Sequence, residues 1–159
     1  MTDEYFMQDA IRQAVKAYEA DEVPVGAVVV REGAVIARAW NQVELLKDAT
    51  AHAEMIALTA AEAAVGDWRL TGCTLYVTKE PCPMCAGAIL SARIGFVAYG
   101  APDPAMGGLG GAIDVNAMPK ANHRAEVVPG LLEQECLSLI QGFFQAARAE
   151  KNSSPTASS

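Results

Sequence analysis

Two short segments of the chain carry side chains able to hold a cation: His52-Ala53-Glu54 and Pro81-Cys82-Pro83-Met84-Cys85. Cys82 and Cys85 stand three apart, so a helical turn puts both sulfurs on one face. A helix N-terminus favours negative charge, which helps hold both cysteines as thiolates. His52, brought in from a second helix start, supplies a third ligand. Three protein ligands leave one coordination position open, the arrangement of a catalytic zinc rather than a structural one. Two thiolates and a neutral imidazole cancel the charge of zinc, which lowers the pKa of a water from about 16 to about 7. Glu54, two residues from His52, flanks the open position without needing to ligate, as a proton shuttle should.

Simpler explanations cover only parts of this pattern. A lone Cys-x-x-Cys is as readily redox or accidental as metal-binding, but a thioredoxin-like site needs no His-x-Glu upstream. A zinc finger needs further paired ligands, and the only histidines are His52 and His123. The His-Glu-x-x-His of zinc proteases is absent. His52 taken alone would more often be a satisfied core histidine. The two halves together, each opening a helix, match the zinc-deaminase signature of His-x-Glu with Pro-Cys-x-x-Cys. The remaining cysteines, Cys73 and Cys136, sit in apolar stretches and read as small buried hydrophobes. A disulfide framework belongs instead to short secreted chains.

Composition bounds the rest. The 159 residues suit one domain, and with 52% hydrophobic and 19% charged residues the chain can build a core. No apolar run is long enough to cross a membrane, and the acidic Met1-Thr2-Asp3-Glu4-Tyr5 start has no apolar segment behind it. A soluble, cytoplasmic protein is expected. The net charge is −7, but residues 1–67 hold twelve acids and five bases and carry all of that excess. Residues 68–159 are neutral overall, which leaves room for an RNA-facing patch of Arg69, Lys79, Arg93, Lys120 and Arg124.

The elements that must position the motif follow from periodicity. Ala10, Ile11, Ala14, Val15 and Tyr18 predict an amphipathic helix over 3–20. Val25–Val30 and Ala34–Trp40, joined by Glu32-Gly33, predict a β-hairpin. Residues 41–51 read as irregular and His52–Val65 as a helix. Cys73–Thr78 is a buried strand, Met84–Ala92 a short helix with proline in its first turn, and Ile94–Tyr99 another strand. The five glycines and two prolines of residues 100–111 predict a loop. A last strand at Ala125–Val128 precedes a helix from Leu131 to Arg148, with Leu132, Cys136, Leu139, Ile140 and Phe143 on one face. Residues 1–150 would form one domain, and 151–159 a disordered tail. A hairpin followed by strand–helix alternation implies an α/β fold with helices on both faces of a sheet.

The chain resembles the bacterial tRNA-specific adenosine deaminases, within the cytidine deaminase-like superfamily. The resemblance spans about residues 4–148 and rests on Glu22-Val23-Pro24-Val25-Gly26-Ala27-Val28, Trp40-Asn41, Thr50-Ala51-His52-Ala53-Glu54, Thr74-Leu75-Tyr76-Val77-Thr78, Glu80-Pro81-Cys82, Met84-Cys85-Ala86-Gly87-Ala88, Asn122-His123-Arg124 and Phe143-Phe144. It implies a three-layer α/β/α sandwich with a mixed sheet of about five strands, a homodimer, one Zn2+ per subunit, and a tRNA anticodon stem-loop whose wobble adenosine becomes inosine. By the same resemblance His52, Cys82 and Cys85 are the zinc ligands and Glu54 the proton shuttle. Asn41 hydrogen-bonds the target base, the Ala53 N–H faces the attacked carbon, and Asp103 stands in a loop that approaches the nucleic acid. His123 could contact RNA or a dimer partner, or serve the Asn122-His123-Arg124 turn structurally. The chain departs from its relatives at Ala101-Pro102-Asp103-Pro104-Ala105-Met106, which has no Lys or Arg where relatives often carry them. A guanine or cytosine deaminase of the same fold, and a non-catalytic zinc module binding RNA, are the alternative functions.

Overall fold

The unbroken apolar run Ala27-Val28-Val29-Val30 can be satisfied only with protein on both sides. In the computed structural model, which describes residues 1–153, it lies within β1 (Gly26–Arg31), buried except at Arg31. β2 (Ala34–Trp40) returns antiparallel to β1 through Glu32 and Gly33, whose φ values of 52° and 78° are both positive, as a tight hairpin turn of this hand requires. β3 (Cys73–Lys79) pairs antiparallel to the other edge of β1. β4 (Phe96–Ala101) and β5 (Glu126–Val128) then add in parallel, giving a mixed five-stranded sheet of order β2-β1-β3-β4-β5.

Alternation along each strand divides the side chains between two cores. Ala27, Val29, Leu75, Val77, Val97 and Tyr99 face α3 (Ala53–Val65) and α4 (Pro83–Ser91), meeting Ala57, Leu58, Ala61, Ile89 and Leu90. Val28, Val30, Tyr76 and Ala98 face α1 (Asp3–Glu19) and α5 (Glu133–Ser153), meeting Phe6, Met7, Ala10 and Cys136. Each wholly buried Val or Leu contributes about 1.5–3 kcal/mol relative to exposure. The three-layer α/β/α sandwich expected from the sequence is the observed fold. Cys73 and Cys136 are buried and free, one in each core, as their apolar surroundings suggested.

Three local expectations are corrected. The buried stripe of α1 runs through Met7, Ala10, Ala14 and Ala17, while Val15 is 36% exposed. The small residues win because α1 lies almost on the backbone of β1: a Cβ at Gly26 would strike the Ala10 carbonyl and the Ala14 nitrogen. Residues 41–51 contain a single helical turn, α2 (Val43–Leu46). Its first N–H groups, from Glu44 and Leu45, donate to the distant Glu22 carboxylate at 3.0 and 2.7 Å, a cap that local sequence does not reveal. Finally, α5 continues past Arg148 to Ser153, through Ala, Glu and Lys residues of high helix propensity. The remainder of the expected tail, 154–159, lies outside the described residues.

Candidate active site

β3, α4 and β4 form a parallel strand–helix–strand unit, and ligands of such units sit at the carboxyl ends of the strands. There the chain leaves Lys79, passes Glu80 and Pro81, and enters α4 with Cys82 as N-cap, Pro83 behind it and Cys85 in the first turn. His52 is the N-cap of α3. Two helix N-termini, each with backbone N–H groups that have no partner inside the helix, thus meet at one point.

His52 Nδ1 lies 3.6 Å from Cys82 Sγ and 3.5 Å from Cys85 Sγ. A zinc–sulfur bond of about 2.3 Å and a zinc–nitrogen bond of about 2.0–2.1 Å, set at a tetrahedral angle, span about 3.6 Å. Both nitrogen–sulfur separations therefore match one tetrahedral zinc, and all three ligand atoms lie within 4.8 Å of one another. They form the one metal-ligand group of this kind among the described residues, and Glu54 is not part of it. The Cys85 thiol donates to the Cys82 sulfur, which holds Cys82 down at about 5 and pushes Cys85 up. A dication touching both sulfurs removes this division, because a coordinating thiol is deprotonated outright.

Glu54 follows in the first turn of α3 and is 4% exposed. Burial pushes its carboxyl above the ordinary range, against the opposing pull of its own backbone N–H and of His52. A carboxyl raised in this way takes up a proton more readily than an ordinary one, as a proton shuttle must. It opens onto a pocket of about 470 Å³ that His52, Ala53 and Cys82 also line. Asn41 lines the same pocket, buried, its Nδ2 donating to the Val23 carbonyl at 3.3 Å. That bond fixes the amide and leaves its Oδ1 for a ligand. A cavity of this size, with a few fixed polar groups on an apolar wall, suits a nucleobase.

A family model for MafB19-like deaminases matches residues 1–148. The chain belongs to the MafB19-like deaminase family. It is 48% identical to the tRNA-specific adenosine deaminase of Bacillus subtilis over 149 residues, covering 94% of this chain and 92% of that one. It is 43% identical to the tRNA-specific adenosine deaminase of Streptococcus pyogenes, covering 94% of each. A solved structure from studies of A-to-I editing by tRNA:A34 deaminases at the wobble position superposes with a TM-score of 0.80 at 45% identity, covering 85% of this chain and 98% of that one.

The structure brings together all seven residues singled out from sequence. His52, Ala53, Glu54, Cys82, Asn41 and Asp103 line the pocket, and Cys85 lies buried behind Cys82 and His52. Sequence reasoning missed two buried acids of this deaminase that build the walls. Glu22 caps α2, as described above. Glu80 accepts three backbone N–H groups of the following loop, from Asp103 at 3.0 Å, Leu109 at 3.0 Å and Gly111 at 2.8 Å. Gly107 passes so close to the Glu80 carboxylate that a Cβ there would collide with it. Both acids stood inside motif stretches, next to Val-Pro-Val-Gly and Pro-Cys, but nothing local marked their partners.

Asp103 is more engaged than expected. Its Oδ1 accepts from the Ala105 and Met106 nitrogens, and its Oδ2 meets Lys79 Nζ at 3.3 Å. Burial works to raise its pKa, but these contacts outweigh burial and hold the carboxyl below its usual range. Of the suggested basic patch only Lys79 lines the pocket. Arg69, Arg93 and Arg124 precede β3, β4 and β5, so they stand at the opposite end of the parallel strands. Arg69 and Arg93 flank the Trp68 ring, and Arg124 donates to the Asn116 and Met118 carbonyls. His123 bonds the Ile94 carbonyl at 2.6 Å, which gives it a structural task. No helix among the described residues is long and apolar enough to cross a membrane.

Proposed function

We propose that this protein is a tRNA-specific adenosine deaminase, which hydrolyses the wobble adenosine of an anticodon to inosine and ammonia. The observation that carries the chemistry is the convergence of His52, Cys82 and Cys85 at tetrahedral zinc spacing with buried Glu54 beside them. The substrate rests on the relatives, whose names specify tRNA and adenosine. His52, Cys82 and Cys85 would hold one zinc per subunit, within a single deaminase domain over residues 1–150. Zinc bound there supplies the Lewis acidity that makes a water nucleophilic at neutral pH.

The rest of the chemistry belongs to the chain. Anticodon bases are only partly stacked, so splaying one into the pocket costs little. Glu54 takes a proton from the attacking water and passes it to N1 of adenine as oxygen adds to C6. Glu54 next carries the proton of the added hydroxyl to the departing amine, the C6–N6 bond breaks as the C6 carbonyl forms, and ammonia leaves. Asn41 holds the base by its polar edge, and the Ala53 N–H sits at the start of α3 facing the attacked carbon. Asp103 forms the pocket rim where the nucleotide enters. By the same resemblance the enzyme works as a homodimer, which light scattering in solution tests; the cytoplasm is the location expected from its composition.

The deciding experiment gives the zinc-loaded protein an anticodon stem-loop with adenosine at the wobble position and, separately, free guanine, cytosine and adenosine. Inosine formed in the RNA alone is the expected result. Turnover of a free base with intact RNA would transfer the protein to the small-molecule deaminases, a reading that the net charge of −7 favours.

A further inference from the structure

We propose that Lys79 neutralises a backbone phosphate beside the target nucleotide and is the residue that lets an acidic pocket accept RNA. This rests on the adenosine deaminase reading above. Six of the residues that line the pocket are acidic: Asp21, Glu22, Glu44, Glu54, Glu80 and Asp103. Lys79 is the only Lys or Arg among the lining residues. RNA binding leans on phosphate neutralisation, so a wall of this charge must obtain its cation from somewhere. The adjoining loop 101–106 contains no Lys or Arg, and the arginines before β3, β4 and β5 are at the far end of the sheet.

The placement of Lys79 suits that task. Its backbone pairs with Ala101 at the carboxyl end of β3, and its neighbours Thr78 and Glu80 are buried, so its Cα is fixed. Its side chain remains 33% exposed. Of the three donors of an ammonium group, one faces Asp103 Oδ2, and the others have no hydrogen-bond partner among the described residues. Asp103 is itself held by two backbone N–H groups, so the pair aims the ammonium at the rim before any ligand arrives. A phosphate joining Lys79 there meets a cation already in place and loses little entropy in ordering it.

The test uses the zinc-loaded protein carrying Glu54→Ala, so that binding of a wobble-adenosine stem-loop is read without turnover. Adding Lys79→Gln should weaken binding roughly fivefold and reduce the slope of log K against log salt by about 0.7–1. Lys79→Arg should restore the slope. A neutral methylphosphonate at the phosphate that Lys79 meets should cost the Lys79 protein about the same factor and the Lys79→Gln protein almost nothing. The proposal is overturned if Lys79→Gln keeps the full salt slope, or if it remains as sensitive to every methylphosphonate as its parent. An affinity loss with an unchanged slope also overturns it, because that marks Lys79 as a brace for Asp103 only. If Glu54-containing protein deaminates the RNA while Lys79→Gln changes nothing, this proposal fails alone. If that protein neither binds nor deaminates RNA, the adenosine deaminase reading fails and takes this one with it.

Discussion

Replacing Glu80 by glutamine probes how this fold holds its pocket loop, because the change alters one atom and keeps the shape. In the native protein Oε1 accepts from Asp103, and Oε2 accepts from both Leu109 and Gly111. The glutamine side chain has only one oxygen. Its better orientation keeps that oxygen on Leu109 and Gly111 and turns its amino group toward the Asp103 N–H, donor against donor. Hydrogen bonds to a charged acceptor contribute about 1.5–3 kcal/mol, and neutral ones about half of that. One bond lost and two weakened come to about 3 kcal/mol, moderated because Asp103 is half-buried and its N–H can turn to water. For a chain of this length that lowers Tm by roughly 6–12 °C. The loss should be local before it is global: amide exchange at Asp103, Leu109 and Gly111 should accelerate far more than exchange in β1 or β3. Zinc content should stay whole, since Glu80 bonds to the loop after β4 and not to His52, Cys82 or Cys85, while KM for the stem-loop rises as the rim loosens. A Tm within about 1 °C of the parent, with native protection at those three amides, would refute the claim that this carboxylate organises the loop.

Other perturbations separate metal, acid and thiol roles. Cys82→Ser and Cys85→Ser should each lower bound zinc well below one per chain in elemental analysis; full occupancy in either would remove that sulfur from the ligand set. Glu54→Gln should keep zinc yet lose several orders of magnitude in kcat, and wild-type turnover would end its role as shuttle. The same variant should be more stable than its parent at neutral pH when both are metal-free. A carboxyl raised by burial favours the fold only while protonated, and that contribution is lost as pH rises through the folded pKa. The Tm advantage of the variant over its parent should shrink from pH 8 to pH 5; an equal advantage at both would contradict the raised carboxyl. In metal-free protein, ultraviolet titration should show a single thiolate appearing with a midpoint at about 5, from Cys82, while Cys85 stays protonated. The stability that this thiolate lends is complete above the ordinary thiol range and disappears as pH falls through about 5. Two thiolates titrating together near the ordinary thiol range would show that the sulfurs do not share a proton.

How far the sequence could be read depended on whether a residue's partners were local. Cys82 and Cys85 were legible as a pair because a spacing of three at a helix start turns both sulfurs the same way, and the structure has them at the N-cap and in the first turn of α4. The strands were legible because Val28 and Val29 needed apolar cover on opposite sides, and two separate cores provide it. That His52 would meet those sulfurs was not deducible from spacing, since thirty positions separate it from Cys82. Only the joint motif, and the resemblance built on it, linked the two.

The acids show the limit most clearly. Glu22 and Glu80 look in sequence like ordinary solvated carboxylates beside proline, yet both are almost wholly buried. What keeps them buried is backbone, which has no sequence signature: N–H groups 22 and 23 positions away for Glu22, and 23 to 31 positions away for Glu80. A buried carboxylate is tolerable only when such donors surround it. The segments supplying them are the helical turn at Val43–Leu46 and the glycine-rich loop after β4, neither of which has a core of its own. It follows that the pocket walls are held chiefly by charge-assisted hydrogen bonds, with Leu109 as the loop's one buried apolar anchor. The loop after β4 should therefore soften in the Glu80 variant while the sheet beneath it stays rigid.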